Sequence, residues 1–231
     1  MLTKLETILK KNSNKEKANI LQRFFKTGKG QYGEGDIFLG ITVPQQRQIA
    51  KQFKELNFDQ LQKLLNTKIH EKRLIALLIL IEKYKKSKDK KQIVDFYLSN
   101  TKNINNWDLV DLTAHKIVGD FLLDKNRILL HKLSNSKDLW EKRISIISTF
   151  AFIRKDQFDD SIKISKNLLT DKHDLIHKAV GWALREIGKK DLSLLKNFLK
   201  QNYNNLSRTT LRYAIERFPE PERKRFLKGE F

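Results

Sequence analysis

Apolar residues recur along most of the chain at the spacing of α-helices. Within residues 69–84 they follow an i, i+3, i+4, i+7 pattern, which places them on one face of a helix. The same spacing recurs in residues 107–122, 139–152 and 175–187, and short polar segments separate these runs. Three prolines and almost no alternating strand patterns are present. The pattern therefore predicts an all-α protein.

Short segments of sequence also repeat. The Glu-Lys-Arg segment 71–73 returns as 141–143, and a related segment begins at His177. Helices are therefore predicted to begin near residues 70, 106, 138, 174 and 206, about 32 to 36 residues apart, with a second helix between each pair. Two helices in a repeat of this length are typical of α-solenoids. Because no TPR consensus is present, we expect one HEAT-like domain over residues 1–231, with about six antiparallel helix pairs and a concave basic face.

The charge of the chain indicates a polyanionic partner. Lys and Arg number 47 against 27 Asp and Glu, which gives a net charge of +20. The basic residues are spread along the chain, so a basic surface belongs to the folded protein and not to a tail. A lysine-rich coat that only increases solubility is the alternative. If one basic residue of each repeat projects from the same helix, the residues in these positions are Arg73, Arg143, Lys178 and Arg212.

Several other kinds of site are disfavoured. The absence of cysteine excludes disulfides and thiolate metal sites. Residues 28–33 match the GxGxxG pattern, but a predicted helix precedes them where a dinucleotide-binding fold has a strand, so we interpret them as part of a flexible connection. His173 and His177 lack a third ligand, and Asp159–Asp160 fit a helix start, so we expect no metal site. No segment approaches a membrane span and no apolar leader follows Met1, so we expect a soluble, cytoplasmic protein.

The most informative segment is residues 105–111. Asn105 or Asn106 is suited to cap a helix, and Trp107 and Asp111 then lie four residues apart on one face outside the apolar stripe. A tryptophan beside a carboxylate on an exposed helix face is unusual, so one interpretation is a functional site. The alternative is an acidic first turn, a pairing of Asp111 with the histidine four residues later, and a tryptophan that packs against a neighbouring element.

At these residues the chain resembles the DNA alkylation repair glycosylases built from HEAT-like repeats, the AlkD family. The resemblance runs over nearly the whole chain, and the two segments with Trp107 and Trp182 are its most specific parts. The matching segments are Phe38-Leu39-Gly40-Ile41 with Pro44 and Arg47, His70-Glu71-Lys72-Arg73, Trp107-Asp108-Leu109-Val110-Asp111, Gly119-Asp120, Trp140 with Arg143, residues 178–186, and residues 208–214.

The resemblance implies an activity and a set of catalytic residues. Members of this family excise positively charged N3- and N7-alkylpurines from duplex DNA, with an active site that combines an Asp, two Trp and an Arg. By motif match, the catalytic residues here are Asp111, Trp107 and Trp182. The family also has an aromatic residue, often a tyrosine, near the lesion in its first repeat. Phe24 and Phe25 are the nearest candidates, and neither has a hydroxyl group.

The resemblance and the repeat positions together give the candidate DNA-binding residues. Arg143 matches the family's arginine and is expected to hold a phosphate beside the lesion. The last matching segment adds one arginine to those named from the repeat. The remaining DNA-binding candidates are Arg73, Lys178, Arg208 and Arg212.

The implied reaction agrees with elementary chemistry. A cationic purine is already a good leaving group, so the protein has to stabilise the positive charge that develops on the deoxyribose and orient a water molecule. An ionised carboxylate such as that of Asp111 does both, and tryptophan faces suit a cation. We therefore expect a monomer that acts on double-stranded DNA with alkylated purines and needs no metal or cofactor. The alternatives are a non-catalytic helical-repeat protein that binds bent or branched nucleic acid, and a protein scaffold, which the net charge disfavours.

Overall fold

The computed structural model describes residues 1–231 and is helical throughout, without a β-sheet. The expectation of an all-α protein is confirmed. The one strand-like pairing is an isolated parallel bridge between Ile37 and Ile69. The chain forms two compact units, Met1–Thr113 and Ala114–Phe231. None of the helices is both long enough and apolar enough to cross a lipid bilayer.

The first unit is built around one long buried helix. Its helices are α1 (Leu2–Asn12), α2 (Lys15–Phe24), α3 (Val43–Gln52), α4 (Phe58–Leu65), α5 (His70–Lys86), α6 (Lys90–Ser99) and α7 (Trp107–Asp111), with a 3₁₀ turn at Thr101–Asn103. Helix α5 packs against α3, α4, α6 and α7. Every residue of α5 from His70 to Ile81 is buried. The sequence predicted one apolar face on this helix. The structure buries all of its faces between His70 and Ile81, because neighbouring helices cover α5 on all sides.

The charged residues at the start of α5 are buried because each has a partner inside the unit. The Glu71 carboxylate accepts hydrogen bonds from the backbone N–H groups of residues 39, 40 and 41. Lys72 forms an ion pair with Glu6. The backbone N–H of His70 donates to the carbonyl of Ile37. Buried charges are tolerated only when they are paired and hydrogen-bonded. The bonds of Glu71 and His70 fix the 36–41 segment against α5, and the Lys72 ion pair joins α5 to α1.

The glycine-rich segment before α3 is held in place by backbone contacts. Gly40 has a φ of +82°, and a Cβ at this position would lie 2.1 Å from the carbonyl oxygen of Asn14. Only glycine permits both this backbone conformation and this close approach. The helix α2 precedes the segment, as the sequence predicted, and no strand does.

The second unit has the same kind of organisation around α12. It contains a π-helical turn (His115–Gly119), α8 (Ile128–Ser134), α9 (Leu139–Ser148), α10 (Phe150–Ile153), α11 (Asp159–Leu168), α12 (Asp174–Gly188), α13 (Leu192–Asn202), a 3₁₀ turn (Tyr203–Asn205), α14 (Arg208–Ala214) and α15 (Glu220–Lys228). Helix α12 packs against α9, α11, α13 and α14. A Cβ at Gly181 would lie 2.5 Å from the Cβ of Tyr213 and 2.7 Å from the carbonyl oxygen of Thr210. Glycine at position 181 therefore lets α12 and α14 approach closely.

The repeat spacing located the helix starts well and some helix ends poorly. The predicted starts near residues 70, 106, 138, 174 and 206 correspond to α5, α7, α9, α12 and α14. The predicted helix over residues 107–122 is wrong in extent, because α7 ends at Asp111 and a separate π-helical turn follows at His115–Gly119. The predicted helix over 139–152 is divided at Thr149, whose hydroxyl donates to the carbonyl of Ile146. A hydroxyl that bonds back to its own helix weakens the regular pattern there.

Candidate active site

The short helix α7 carries the two residues that the sequence singled out in the first unit. The side chain of Asn106 accepts a hydrogen bond from the backbone N–H of Trp107 at 2.8 Å, so Asn106 is the capping residue. Trp107 begins the helix and Asp111 ends it, and both side chains are half-buried. A helix of five residues has no stability of its own. The orientation of Trp107 and Asp111 is therefore set by the contacts that α7 makes with its neighbours.

One of these contacts is an aromatic column. The indole of Trp107 stacks on Phe25 with ring centroids 5.0 Å apart, and Phe25 stacks on Phe38 at 5.0 Å. Phe38 in turn stacks on the imidazole of His70 at 4.5 Å. Phe24 meets Trp107 edge-on at 5.8 Å and is 61% exposed. The helix face of Trp107 and Asp111, expected to be exposed, is only partly so, because the indole of Trp107 packs against the core.

A buried ion cluster lies at the other end of this column. Nε2 of His70 is 2.8 Å from Oδ2 of Asp108, and Nδ1 of His70 is 3.3 Å from Oδ2 of Asp36. Arg73 donates to the same Asp36 oxygen at 2.5 Å. Burial opposes the charged imidazole, but the charge of Asp108 and the hydrogen bonds with Asp108 and Asp36 outweigh it and raise the pKa of His70 to about 9. His70 is therefore an imidazolium at neutral pH.

The second carboxylate of the cluster responds in the opposite sense. Burial by itself would raise the pKa of Asp36. The hydrogen bonds from His70 and Arg73, together with their positive charges, outweigh burial and lower the pKa below its usual value. Asp36 is therefore ionised at neutral pH, and the cluster places it between two cations.

Asp111 is linked to a second buried group. Burial, and to a smaller extent the negative charge of Asp111, raise the pKa of Tyr97 above its usual value. The hydroxyl of Tyr97 lies 2.9 Å from that of Thr113, which donates to the carbonyl of Leu109 in α7. Asp111, the last residue of α7, thus lies close enough to this buried hydroxyl pair to affect the pKa of Tyr97.

A cavity of about 320 Å³ adjoins the aromatic column. Its walls are largely apolar and include Phe24, Phe25 and Phe38. The charged groups His70 and Glu71 also line it, but both already have partners within the protein. The cavity therefore offers apolar contact next to α7 and few polar groups available to read the edge of a base.

The second unit contains the other two residues of the predicted site. Arg143, on α9, is 5% exposed, and its guanidinium donates to the carbonyl of Leu175 at 2.5 Å. Trp182, on α12, is half-buried; its ring lies 4.6 Å from that of Phe150, and its indole N–H donates to Glu186 at 3.1 Å. Trp140 is 6% exposed and belongs to the core. Trp182 thus resembles Trp107 in having part of its indole accessible.

Comparison with known proteins decides the family. The family model described as "DNA alkylation repair enzyme" matches residues 5–218. The chain belongs to the DNA alkylation repair enzyme family. A solved structure titled "Predicted DNA alkylation repair enzyme from Enterococcus faecalis" is similar in fold, with a TM-score of 0.71 and 18% sequence identity over 90% of this chain and 98% of that one. None of the curated proteins matches this chain. The resemblance noted from the motifs is therefore confirmed.

The predicted DNA-binding residues of this family member fall into two groups. Arg73 and Arg143 are buried and bonded inside their own units, which the repeat pattern did not reveal. The others lie nearer to solvent: Arg208 donates to the carbonyl of Leu227, Arg212 is exposed, and Lys178 pairs with Asp174. No comparison tests their contact with DNA, which stays a prediction. The two buried arginines also hold neighbouring segments together.

Two residues that support Trp107 in this family member were missed by sequence reasoning: Tyr32, which bonds to the indole, and His70, which lies at the other end of the aromatic column. The hydroxyl of Tyr32 accepts a hydrogen bond from the indole N–H of Trp107 at 3.3 Å. Tyr32 carries a hydroxyl, which Phe24 and Phe25 lack, and it lies in the glycine-rich segment that was interpreted as a connection. The other is His70, which the sequence placed in a matching segment without a role. No pattern in the sequence indicated either contact, because both join residues distant along the chain.

The histidines considered as metal ligands have structural roles instead. Nδ1 of His173 accepts from the backbone N–H of Leu175 and caps α12. His177 donates from Nε2 to the carbonyl of Asp171 at 2.6 Å. Asp159 begins α11, as the helix-start interpretation predicted.

Proposed function

We propose that this protein is a DNA glycosylase that excises positively charged N3- and N7-alkylated purines from duplex DNA. The single observation that carries the proposal is α7, which presents a half-buried carboxylate, Asp111, and a partly accessible indole, Trp107, in a member of the DNA alkylation repair enzyme family. The net charge of +20 supports a DNA substrate.

The proposed chemistry needs one carboxylate and aromatic surfaces. The positive charge on an alkylated purine weakens the glycosidic bond, and departure of the base as a neutral purine leaves the charge on the deoxyribose. The ionised carboxylate of Asp111 stabilises that charge and accepts a proton from the attacking water. The indoles of Trp107 and Trp182 contribute cation–π attraction to the sugar. The products are the free base and an abasic site.

DNA binding is proposed to rest on phosphate contacts. Lys178, Arg208 and Arg212 are the candidates with solvent access, and each neutralised phosphate makes affinity more sensitive to salt. Arg143 is proposed to contact a phosphate beside the lesion while its bond to Leu175 fixes the guanidinium. We also propose that the helix pairs stack into one HEAT-like solenoid with a concave basic face, and that the protein is a monomer. We further propose that it is cytoplasmic. Small-angle X-ray scattering of the protein with and without duplex DNA tests the first two.

The same reasoning restricts the lesions that are excised. Most glycosylases move the base into a pocket and read its edge with polar groups. The polar groups that line the cavity beside α7 are largely engaged within the protein. Excision should therefore depend on positive charge already present in the lesion, and neutral lesions such as hypoxanthine, ethenoadenine and uracil should remain.

The decisive experiment is release of 7-methylguanine from methylated duplex DNA by the purified protein without added metal. Release above that of a matched Asp111→Asn protein supports the proposal. Tight DNA binding without release would instead favour a non-catalytic protein that recognises bent or branched nucleic acid. Binding that is weak and indifferent to salt would favour a protein scaffold.

A further inference from the structure

The buried ion cluster joins three parts of the first unit that are far apart in the sequence. His70 is the first residue of α5, Asp108 is the second residue of α7, and Asp36 lies in the segment before α3. The imidazole bonds to Asp108 through Nε2 and to Asp36 through Nδ1. Only the imidazolium form can donate from both ring nitrogens. The three parts are therefore held together by one protonated ring.

The same ring reaches Trp107 by two routes. Through Asp108 it holds the backbone of α7 one residue after Trp107 and three residues before Asp111. Through Phe38 and Phe25 it supports the column on which the indole of Trp107 rests. Because α7 is a single helical turn, an anchor at its second residue has a large effect on where its first and last side chains point.

The charge balance of the cluster makes the anchor depend on protonation. Two cations, His70 and Arg73, share two carboxylates, Asp36 and Asp108. Loss of the His70 proton removes one of the two ring donors and leaves a buried carboxylate with one partner fewer, which is costly in a dry interior. The titratable and charged groups around the ring are Asp108 from α7, Asp36 from the preceding segment, Glu71 and Arg73 from α5, and Lys17 of α2, which lines the same cavity.

We propose that His70 is a positioning residue for excision, which holds α7 through Asp108 and thereby sets the orientation of the Trp107 indole and the Asp111 carboxylate. This inference rests on the proposed function. It assigns His70 no contact with DNA. A positioning role accounts for the buried ion pair of His70 and Asp108, although the proposed reaction needs only the carboxylate of Asp111.

The first test uses the unmodified protein and does not need activity. In ¹³C- and ¹⁵N-labelled protein, the imidazole of His70 should titrate near pH 9. The indole N–H resonance of Trp107, assigned with Trp107→Phe, should shift with the same midpoint. An indole resonance that ignores the protonation of His70 would overturn the proposal.

The second test uses Asp108→Asn, which keeps the shape of the side chain and removes its charge. Without that charge the midpoint of His70 should fall by about one pH unit or more. The single-turnover excision rate, measured with saturating enzyme, should then begin to fall at a correspondingly lower pH. At the alkaline end of the profile it should lie roughly 10- to 100-fold below its maximum. Affinity for undamaged duplex should stay within about twofold of the unmodified protein, because binding depends on surface cations. Since both proteins receive the same substrate, titration of the lesion itself cancels.

Asp95→Asn on α6 is the matched control. Asp95 forms an exposed ion pair with Lys91, so the same chemical change should leave the pH profile as it is. A uniform loss of rate in Asp108→Asn with an unchanged pH midpoint would reduce the cluster to a stability element and sink the proposal. Absence of excision in the unmodified protein would overturn the proposed function, and the two resonances would then decide the coupling of His70 to Trp107 by themselves.

Discussion

The protonation of His70 should make the stability of the protein depend on alkaline pH. Its pKa is raised from 6.5 to about 9. A group whose pKa is higher in the folded state stabilises the fold fully below its unfolded value, and this contribution is lost as the pH rises through the folded value. The rise corresponds to about 3 kcal/mol, because one pKa unit is worth about 1.4 kcal/mol. The free energy of unfolding should therefore fall by about 3 kcal/mol between about pH 6 and about pH 9.

Urea unfolding followed by circular dichroism across this range measures the loss. The pKa of His173 is lowered, chiefly by burial, so its contribution is present above 6.5 and lost only as the pH falls. It does not mask the alkaline effect. Asp108→Asn should be less stable at about pH 6 and should show a much smaller alkaline decline. A stability that is flat across this range in the unmodified protein, or an equal slope in Asp108→Asn, would refute the assignment of the charge to His70.

Four further outcomes follow from the site and the fold. Asp111→Asn should lower excision by about a hundredfold or more with little change in DNA affinity, and near-normal excision in a single-turnover assay would return Asp111 to a structural role. Arg212→Ala should reduce the dependence of log Kd on log salt by about one ion, whereas an unchanged slope in fluorescence anisotropy would remove Arg212 from the DNA contact. Gly181→Ala should lower the melting temperature by several degrees, because a Cβ would lie 2.5 Å from the Cβ of Tyr213; an unchanged melting temperature would mean that α12 and α14 can separate at little cost. In duplexes with one lesion each, 7-methylguanine should be released and hypoxanthine or uracil retained, and release of either neutral base would show that a base-reading pocket exists.

The repeat spacing along the sequence was sufficient to predict where α5, α7, α9, α12 and α14 begin. The predicted starts near residues 138 and 206 correspond to α9 and α14, where the structure shows Asp138 and Ser207 as capping residues that accept hydrogen bonds from backbone N–H groups of the first turn. Local sequence signals did not show where every helix ends. Residues 107–122 carry helical periodicity, yet α7 stops at Asp111. The family was also predictable, because its motifs are short contiguous segments such as residues 107–111.

The contacts around Trp107 were decided by the tertiary structure. Periodicity places a residue on a face, but it does not show what covers that face. Tyr32 and His70 are 75 and 37 positions from Trp107, and their contacts exist only after the 25–42 segment has folded against α5 and α7.

For the same reason, the sequence indicated that Arg73 and Arg143 are basic and periodic, whereas the fold determined that both are buried. Charge is a property of the residue, and its availability to DNA depends on the partners that distant segments supply.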